Sequence, residues 1–307
     1  MKFPHYIFNP FHGMTAHDRL ADLLRYRIEK RLPSMIVRVP QSNAPYIYRT
    51  MVCAGNLELG LVSLASLAAC AKSWPRIEMC VDKSISAVDV QSFYAKHGIS
   101  VHVWTAQDLL ERLDLHGEFL LKRFAETYFW GRKTAFTFGT HETLPILYSD
   151  LDVLWFKDPW IELKISDLTT LLAAVDRYYS YDQDYLAMIS EEHRELLLNS
   201  SPYCAGVYAL PPGFRLPEEV LNYIQQSLDT KKPKSYYEVN CSIEQTSLGL
   251  ATNLVGSGIP WQLFPTCPEA AVLSPKWHHR NRLGAHYATP VRRQLWRDAW
   301  AILKNKA

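Results

Sequence analysis

Two aspartates separated by a single residue follow an apolar segment of the chain. The segment, residues 144–149, is typical of a buried strand, and Asp150 and Asp152 come directly after it. While a strand continues, its side chains alternate, so both carboxylates would lie on the same side. Like charges this close repel and raise each carboxyl pKa unless a cation lies between them. Oxygen ligands suit Mg²⁺ or Mn²⁺, so the pair predicts a divalent metal site, with solvated loop aspartates as the alternative.

Two kinds of chemistry use a pair of aspartates in this position. In an Asp-nucleophile phosphatase, the first aspartate attacks phosphorus and the second acts as a general acid. That arrangement favours Thr or Val two residues after the second aspartate, where this chain has Leu154. In a nucleotide-sugar site, the pair instead binds the metal ion on the diphosphate, and the segments 153–156 and 157–159 fit this second pattern better.

Strands that alternate with helices are expected before and after this pair. The pattern predicts a mainly parallel sheet flanked by helices, an α/β, Rossmann-like class of fold. Predicted strands are 51–54, 77–81, 99–104, 144–149, 171–175 and 206–210; predicted helices are 15–32, 57–72, one from Asp82 to His97, 105–131 and 217–228.

The ends of the first two predicted strands carry candidate ligand contacts. Ligands of such sheets bind beyond the carboxyl ends of the strands. Ala54, Gly55 and Asn56 follow the first strand, and Asp82 follows the second. We expect them to contact the base and ribose of a nucleotide, the alternatives being a plain strand-to-helix turn and a helix N-cap.

Composition and charge exclude several classes of protein. The 307 residues are 48% hydrophobic, 12% aromatic and 21% charged, near the averages for globular proteins, which excludes disordered and collagen-like chains. Lys and Arg number 33 against 31 Asp and Glu, and this balance gives no support to nucleic-acid binding. The six cysteines form no CxxC pair, and the apolar run 59–71 is too short for a membrane span, so a reduced, cytoplasmic protein is expected.

The motifs in their order resemble those of the GT-A glycosyltransferases, most closely the glycogenin and lipopolysaccharide-galactosyltransferase group. The resemblance covers residues 50–300. It depends on the segment 148–154 with its Asp-x-Asp, a basic residue at Arg132 or Lys133, the strand Ala205-Gly206-Val207, the pair Glu244-Gln245, and His286 followed by Arg292. Four positions depart from the group's pattern: Cys204 replaces an Asn, Thr289 a Gly, Arg292 a Lys and Arg293 a Pro.

The resemblance implies a metal-dependent enzyme that moves a sugar from a nucleotide-sugar donor, expected to be a UDP-sugar, to an acceptor hydroxyl with retention. A phosphatase and a non-catalytic nucleotide-sugar binding protein remain alternatives. The implied ligands of Mn²⁺ or Mg²⁺ are Asp150, Asp152 and His286. The implied catalytic residues are Glu244 and Gln245, and further donor contacts come from Lys133 and Arg292.

One catalytic domain is expected, because no linker divides the chain. Residues 1–45 are predicted to form a helical or extended N-terminal extension and 46–307 a GT-A domain, with a nucleotide-binding half, 46–160, and an acceptor-binding half, 161–307. The acceptor is expected to be a glycan, a lipid-linked sugar or a protein. Basic and aromatic residues mixed along 276–297 suggest peripheral contact with the inner face of a membrane.

Overall fold

Apolar segments of the chain assemble into one central sheet. The structure, a computed structural model, describes residues 16–176, 181, 186–187, 189–230, 236–265, 281–288 and 292–303. Within them the sheet has seven strands in the order β3-β2-β1-β4-β7-β6-β8. The strands are β1 (Asn43–Val52), β2 (Trp74–Val81), β3 (His102–Trp104), β4 (Ile146–Ser149), β5 (Val153–Trp155), β6 (Leu171–Val175), β7 (Tyr203–Leu210), β8 (Gly256–Ile259) and β9 (Gly284–His286).

The sheet is mainly parallel, as predicted. Strand β7 runs antiparallel to β4 and β6, and the other neighbouring pairs are parallel. Helices connect the strands, so both faces of the sheet are covered. The helices are α1 (Ala16–Arg31), α2 (Leu57–Cys70), α3 (Ala87–Lys96), α4 (Ala106–Leu115), α5 (Phe119–Thr127), α6 (Phe129–Phe138), α7 (Pro159–Glu162), α8 (Glu191–Asn199), α9 (Glu218–Asp229), α10 (Tyr236–Val255) and α11 (Arg292–Leu303).

The first strand is longer than its sequence predicts. It begins at Asn43, and the predicted segment 51–54 covers just its last two residues and the start of the following turn. The strand includes Arg49, whose buried guanidinium pairs with Glu78 of β2 at 2.8 Å and with Glu142 at 2.8 Å. A buried charge is tolerated when it is paired in this way, and its partners lie far away in the sequence.

The predicted start of the helix after β2 is wrong. Asp82 does not cap the next helix, because α3 begins at Ala87 and Ser86 is its N-cap, accepting a hydrogen bond from the backbone N–H of Asp89 at 3.1 Å. Pro75 lies within β2, at the point where the pairing with β1 is irregular. Proline has no N–H to donate to a regular ladder, so it is tolerated at a position where the ladder is irregular.

A ribbon of two short strands joins distant parts of the sequence. Strand β5 pairs antiparallel with β9, and Val153 lies opposite His286. The backbone N–H of Tyr287 donates to the carbonyl of Asp152 at 2.8 Å. This ribbon places His286 beside the two aspartates that follow β4.

The N-terminal and C-terminal helices pack against each other. The guanidinium of Arg25 in α1 lies over the ring of Trp296 in α11 at 5.3 Å, and Arg31 lies over Trp300 at 4.7 Å.

Among the helices that the structure describes, none combines the length and the apolar character that a membrane span requires.

Candidate metal centre

Asp150, Asp152 and His286 meet at the carboxyl end of β4. Each offers one ligand atom, and the three atoms lie within 4.8 Å of one another. Nε2 of His286 is 3.1 Å from Oδ1 of Asp152 and 3.8 Å from Oδ2 of Asp150. The side chains of Asp152 and His286 are buried, whereas that of Asp150 is 24% exposed. The structure therefore brings together the three residues predicted to bind a metal ion.

One oxygen of Asp150 is held by its neighbours. The hydroxyl of Tyr148 donates to Oδ1 at 2.8 Å, and Nζ of Lys133 lies 3.1 Å from the same oxygen. Burial and the charge of Asp150 raise the pKa of Tyr148 well above its usual range, so the phenol stays a donor. The other oxygen, Oδ2, lies 3.4 Å from the same Nζ and 3.8 Å from Nε2 of His286. The carboxylate of Asp150 is thereby held in place between Lys133 and His286.

Lys133 joins Asp150 to a second carboxylate. Its ammonium is buried in α6 and lies 2.8 Å from Oε1 of Glu244, which belongs to α10. Burial acts to lower the pKa of Lys133, but Asp150 and Glu244 raise it well above its usual range. The lysine therefore keeps its charge in a buried site, paired with two carboxylates.

Glu244 is buried. Burial raises the pKa of its carboxyl to about 7, Asp150 acts in the same direction, and Lys133 opposes both. Its neighbour Gln245 is also buried, and its side-chain amide donates to the backbone carbonyl of Tyr203. Both residues belong to the buried surroundings of the aspartate pair.

The donor atoms and charges of this centre suit a divalent cation. Two carboxylates and one imidazole nitrogen form a mixed oxygen and nitrogen set, as Mn²⁺ accepts. The single positive charge of Lys133 lies against two carboxylates, those of Glu244 and Asp150, so negative charge is in excess. A cation between Asp150 and Asp152 would offset that excess, and the residues present fit the predicted metal.

The ring of His286 is held at its other nitrogen by a sulfur atom. Sγ of Cys204, in β7, is 3.0 Å from Nδ1. Burial acts to lower the pKa of His286, but Cys204 and Asp152 raise it well above its ordinary value. These two neighbours therefore favour the charged form of the ring.

Gly206 supports both the ring and the backbone of Asp150. Its carbonyl accepts a hydrogen bond from the N–H of Asp150 at 2.8 Å. A β-carbon at position 206 would lie 2.3 Å from Cε1 of His286, so a residue without a side chain is required under the ring. The register of β7 against β6 shifts between Tyr208 and Cys204, so the intervening residues, including Gly206, have no partner residue in β6.

The predicted nucleotide contacts lie at the same edge of the sheet. Ala54, Gly55 and Asn56 form a 3-10 turn directly after β1, where Ala54 and Gly55 are exposed. The N–H of Ala54 donates to Oγ of Ser84 at 2.9 Å, and Ser84 in turn donates its own N–H to Asp82 at 2.8 Å. The ends of β1 and β2 are thereby linked beyond the sheet.

Part of the predicted site lies outside the described residues. Thr289 is one of the residues that the structure does not describe. Arg292 is the first residue of α11, but its side chain is not described. In the segment 276–297, Tyr287 and Trp296 are buried in the core. These two aromatic residues are therefore unavailable for the predicted membrane contact.

Two contacts of the site are not predicted from the sequence: that of Cys204, there simply a missing asparagine, with His286, and that of Lys133 with Glu244. No local signal connects either pair, because the residues are 82 apart in one case and lie on α6 and α10 in the other.

Comparisons with known proteins found similar structures but no matching family model or curated sequence. A structure of galactosyltransferase LgtC with donor and acceptor sugar analogs is similar at 12% identity and a TM-score of 0.49, covering 84% of this chain and 95% of that one. The apo-form glycosyltransferase GlyE of Streptococcus pneumoniae has 13% identity and a TM-score of 0.47, with coverages of 86% and 63%. Mannosyltransferase Ktr4p of S. cerevisiae has 10% identity and a TM-score of 0.44, with coverages of 94% and 92%. All three are glycosyltransferases, the class that the sequence motifs resemble.

Proposed function

We propose that the chain is a metal-dependent glycosyltransferase that takes its sugar from a nucleotide-sugar donor. The observation that carries this proposal is the meeting of Asp150, Asp152 and His286 at the carboxyl edge of parallel strands, with ligand atoms within 4.8 Å. An exposed turn, 54–56, follows the neighbouring strand at that edge. Nucleotide ligands of such sheets bind in this position.

Asp150, Asp152 and His286 would hold Mn²⁺ or Mg²⁺ against the diphosphate of the donor. When bound, such a cation offsets the negative charge that develops on a departing nucleoside diphosphate. The protein prepares this site in advance, because Tyr148 and Lys133 hold the carboxylate of Asp150 with Oδ2 3.8 Å from Nε2 of His286.

The rest of the donor would lie along the same edge. Ala54, Gly55 and Asn56 would contact the base, where the exposed backbone leaves room, and Asp82 would contact the ribose. Arg292, at the start of α11, would bind the diphosphate as a fork of N–H donors. A UDP-sugar is the donor that the resemblance favours.

Glu244 and Gln245 would lie nearest the reacting sugar. Glu244 is joined to Asp150 through the ammonium of Lys133, by contacts of 2.8 and 3.1 Å. A carboxylate in this position would stabilise positive charge on the anomeric carbon as its bond to the diphosphate breaks. The acceptor hydroxyl would then attack with retention, and its proton would leave to the diphosphate or to solvent.

A thermal-shift screen with UDP, GDP and CDP, each with and without Mn²⁺, tests this proposal. A nucleotide that binds only the folded chain stabilises it by about 2.7 kcal/mol at a hundredfold excess over its dissociation constant. We expect a Mn²⁺-dependent shift with one nucleotide, UDP. No shift with any of the three would contradict the proposal.

Two further assays separate the alternatives. Release of phosphate from a simple phosphomonoester without nucleotide would instead indicate an Asp-nucleophile phosphatase. Mn²⁺-dependent binding of UDP, with neither hydrolysis nor transfer from any UDP-sugar of a panel, would indicate a binding protein.

A further inference from the structure

The two ring nitrogens of His286 face different surroundings. Nε2 faces the carboxylates, at 3.1 Å from Asp152 and 3.8 Å from Asp150. Nδ1 faces Sγ of Cys204 at 3.0 Å. The imidazole thus lies between the candidate metal position and a buried thiol.

A histidine nitrogen that binds a metal ion carries no proton, so the proton of the neutral ring must be on the other nitrogen. Binding through Nε2 therefore requires a hydrogen-bond acceptor at Nδ1. In most metal sites a carboxylate or a backbone carbonyl accepts this hydrogen bond. In the described part of this chain, the acceptor positioned at Nδ1 is the sulfur of Cys204.

A second contact shows that the sulfur accepts a hydrogen bond from the backbone. The N–H of Gly206 points at Sγ of Cys204 over 3.3 Å, and an N–H can only donate. With Nδ1 of His286 protonated, two N–H groups would converge on this one sulfur atom. Gly206 also leaves the space that the ring occupies, so the strand segment 204–206 holds the ring from its face and from its edge.

We propose that Cys204 is a positioning residue that fixes His286 with Nδ1 protonated and Nε2 directed at the metal position. The proposal rests on the metal site of the proposed function. Cys204 does not touch the metal position in this arrangement; it acts through His286. The sulfur thereby takes the place of the oxygen that usually orients a metal-binding histidine.

The test is the affinity of the full chain for Mn²⁺ alone, measured by the loss of the free-ion electron paramagnetic resonance signal. Loss of a group that orients a metal ligand typically weakens metal binding by about 10- to 100-fold, and we expect this for Cys204→Ala. Cys204→Ser keeps an acceptor and should stay close to the wild-type affinity. Cys80→Ala removes another buried thiol, from β2, and should leave Mn²⁺ binding unchanged.

A second readout reports the ring directly. In wild-type protein saturated with diamagnetic Mg²⁺, ¹⁵N chemical shifts of His286 should show a protonated Nδ1 and an unprotonated Nε2. A protonated Nε2 in that state would overturn the proposal, even if Cys204→Ala failed to fold. Wild-type Mn²⁺ affinity in folded Cys204→Ala would overturn it as well.

His286→Ala separates this proposal from the one on which it rests. If His286→Ala loses Mn²⁺ binding while Cys204→Ala retains it, the role of Cys204 is wrong and the metal site stands. If His286→Ala itself binds Mn²⁺ with wild-type affinity, the metal site is wrong.

Discussion

The imidazole of His286 lies directly against Gly206. A β-carbon at position 206 would be 2.3 Å from Cε1 and 2.6 Å from Nδ1 of the ring, closer than nonbonded atoms approach. Glycine is therefore required here by the position of a side chain that comes 80 residues later in the chain.

Gly206→Ala should displace His286 and weaken Mn²⁺ binding by at least about tenfold, the effect of disturbing the surroundings of a metal ligand. The measurement is a Mn²⁺ titration of the folded variant without nucleotide. Gly55→Ala is the matched control, because a β-carbon at position 55 meets nothing within 4 Å. Equal Mn²⁺ affinity of Gly206→Ala and wild type would contradict the placement of the ring.

Lys133→Met should destabilise the fold, because it leaves the buried carboxylate of Glu244 and the partly exposed carboxylate of Asp150 without their shared cation. Removing one partner of a buried ion pair costs about 3–5 kcal/mol in the free energy of unfolding. Urea unfolding of the metal-free protein measures this loss.

The double variant Lys133→Met, Glu244→Gln provides the control for that assignment. It removes one unpaired carboxylate along with the ammonium, so it should be more stable than Lys133→Met alone. If the double variant lost the summed effects of the two single changes, Lys133 and Glu244 would not interact as the structure has them.

Glu244 should make the stability of the metal-free protein depend on pH. Burial raises its pKa from 4.5 to about 7, so between these values the folded chain holds a proton that the unfolded chain has lost. The free energy of unfolding then falls as pH rises through this window. Urea unfolding at pH 5, 6, 7 and 8 measures this effect. The free energy of unfolding of wild type minus that of Glu244→Gln should fall as pH rises toward 7 and then level off. Parallel pH profiles for the two proteins would contradict the raised pKa.

The aspartate pair and its strand could be predicted from sequence because their signals are local. An apolar run followed by Asp150 and Asp152 needs no knowledge of the rest of the chain. The start of β1 at Asn43 has no such local signal. The strand includes the charged Arg49, and the carboxylates that neutralise it, Glu78 and Glu142, come from other elements.

The contact between Nδ1 of His286 and Sγ of Cys204 could not be predicted for the same reason. The resemblance indicated the histidine, but the sulfur reaches it through two separate strand pairings, β7 with β4 and β9 with β5. The helix start at Ser86 instead of Asp82 is a smaller case. Both residues are good N-caps, and the reciprocal hydrogen bonds between Ser86 and Asp89 decide between them.

Binding of UDP to wild type and to Asp152→Ala, by isothermal titration calorimetry with and without Mn²⁺, tests the central claim most directly. Asp114→Ala is the matched control, because Asp114 of α4 forms a surface ion pair with Lys122 of α5. We predict that wild type and Asp114→Ala bind UDP in a Mn²⁺-dependent manner. Asp152→Ala should fold, as judged by circular dichroism, and lose that dependence. An Asp152→Ala protein that binds UDP with unchanged Mn²⁺ dependence would contradict the assignment of the metal site.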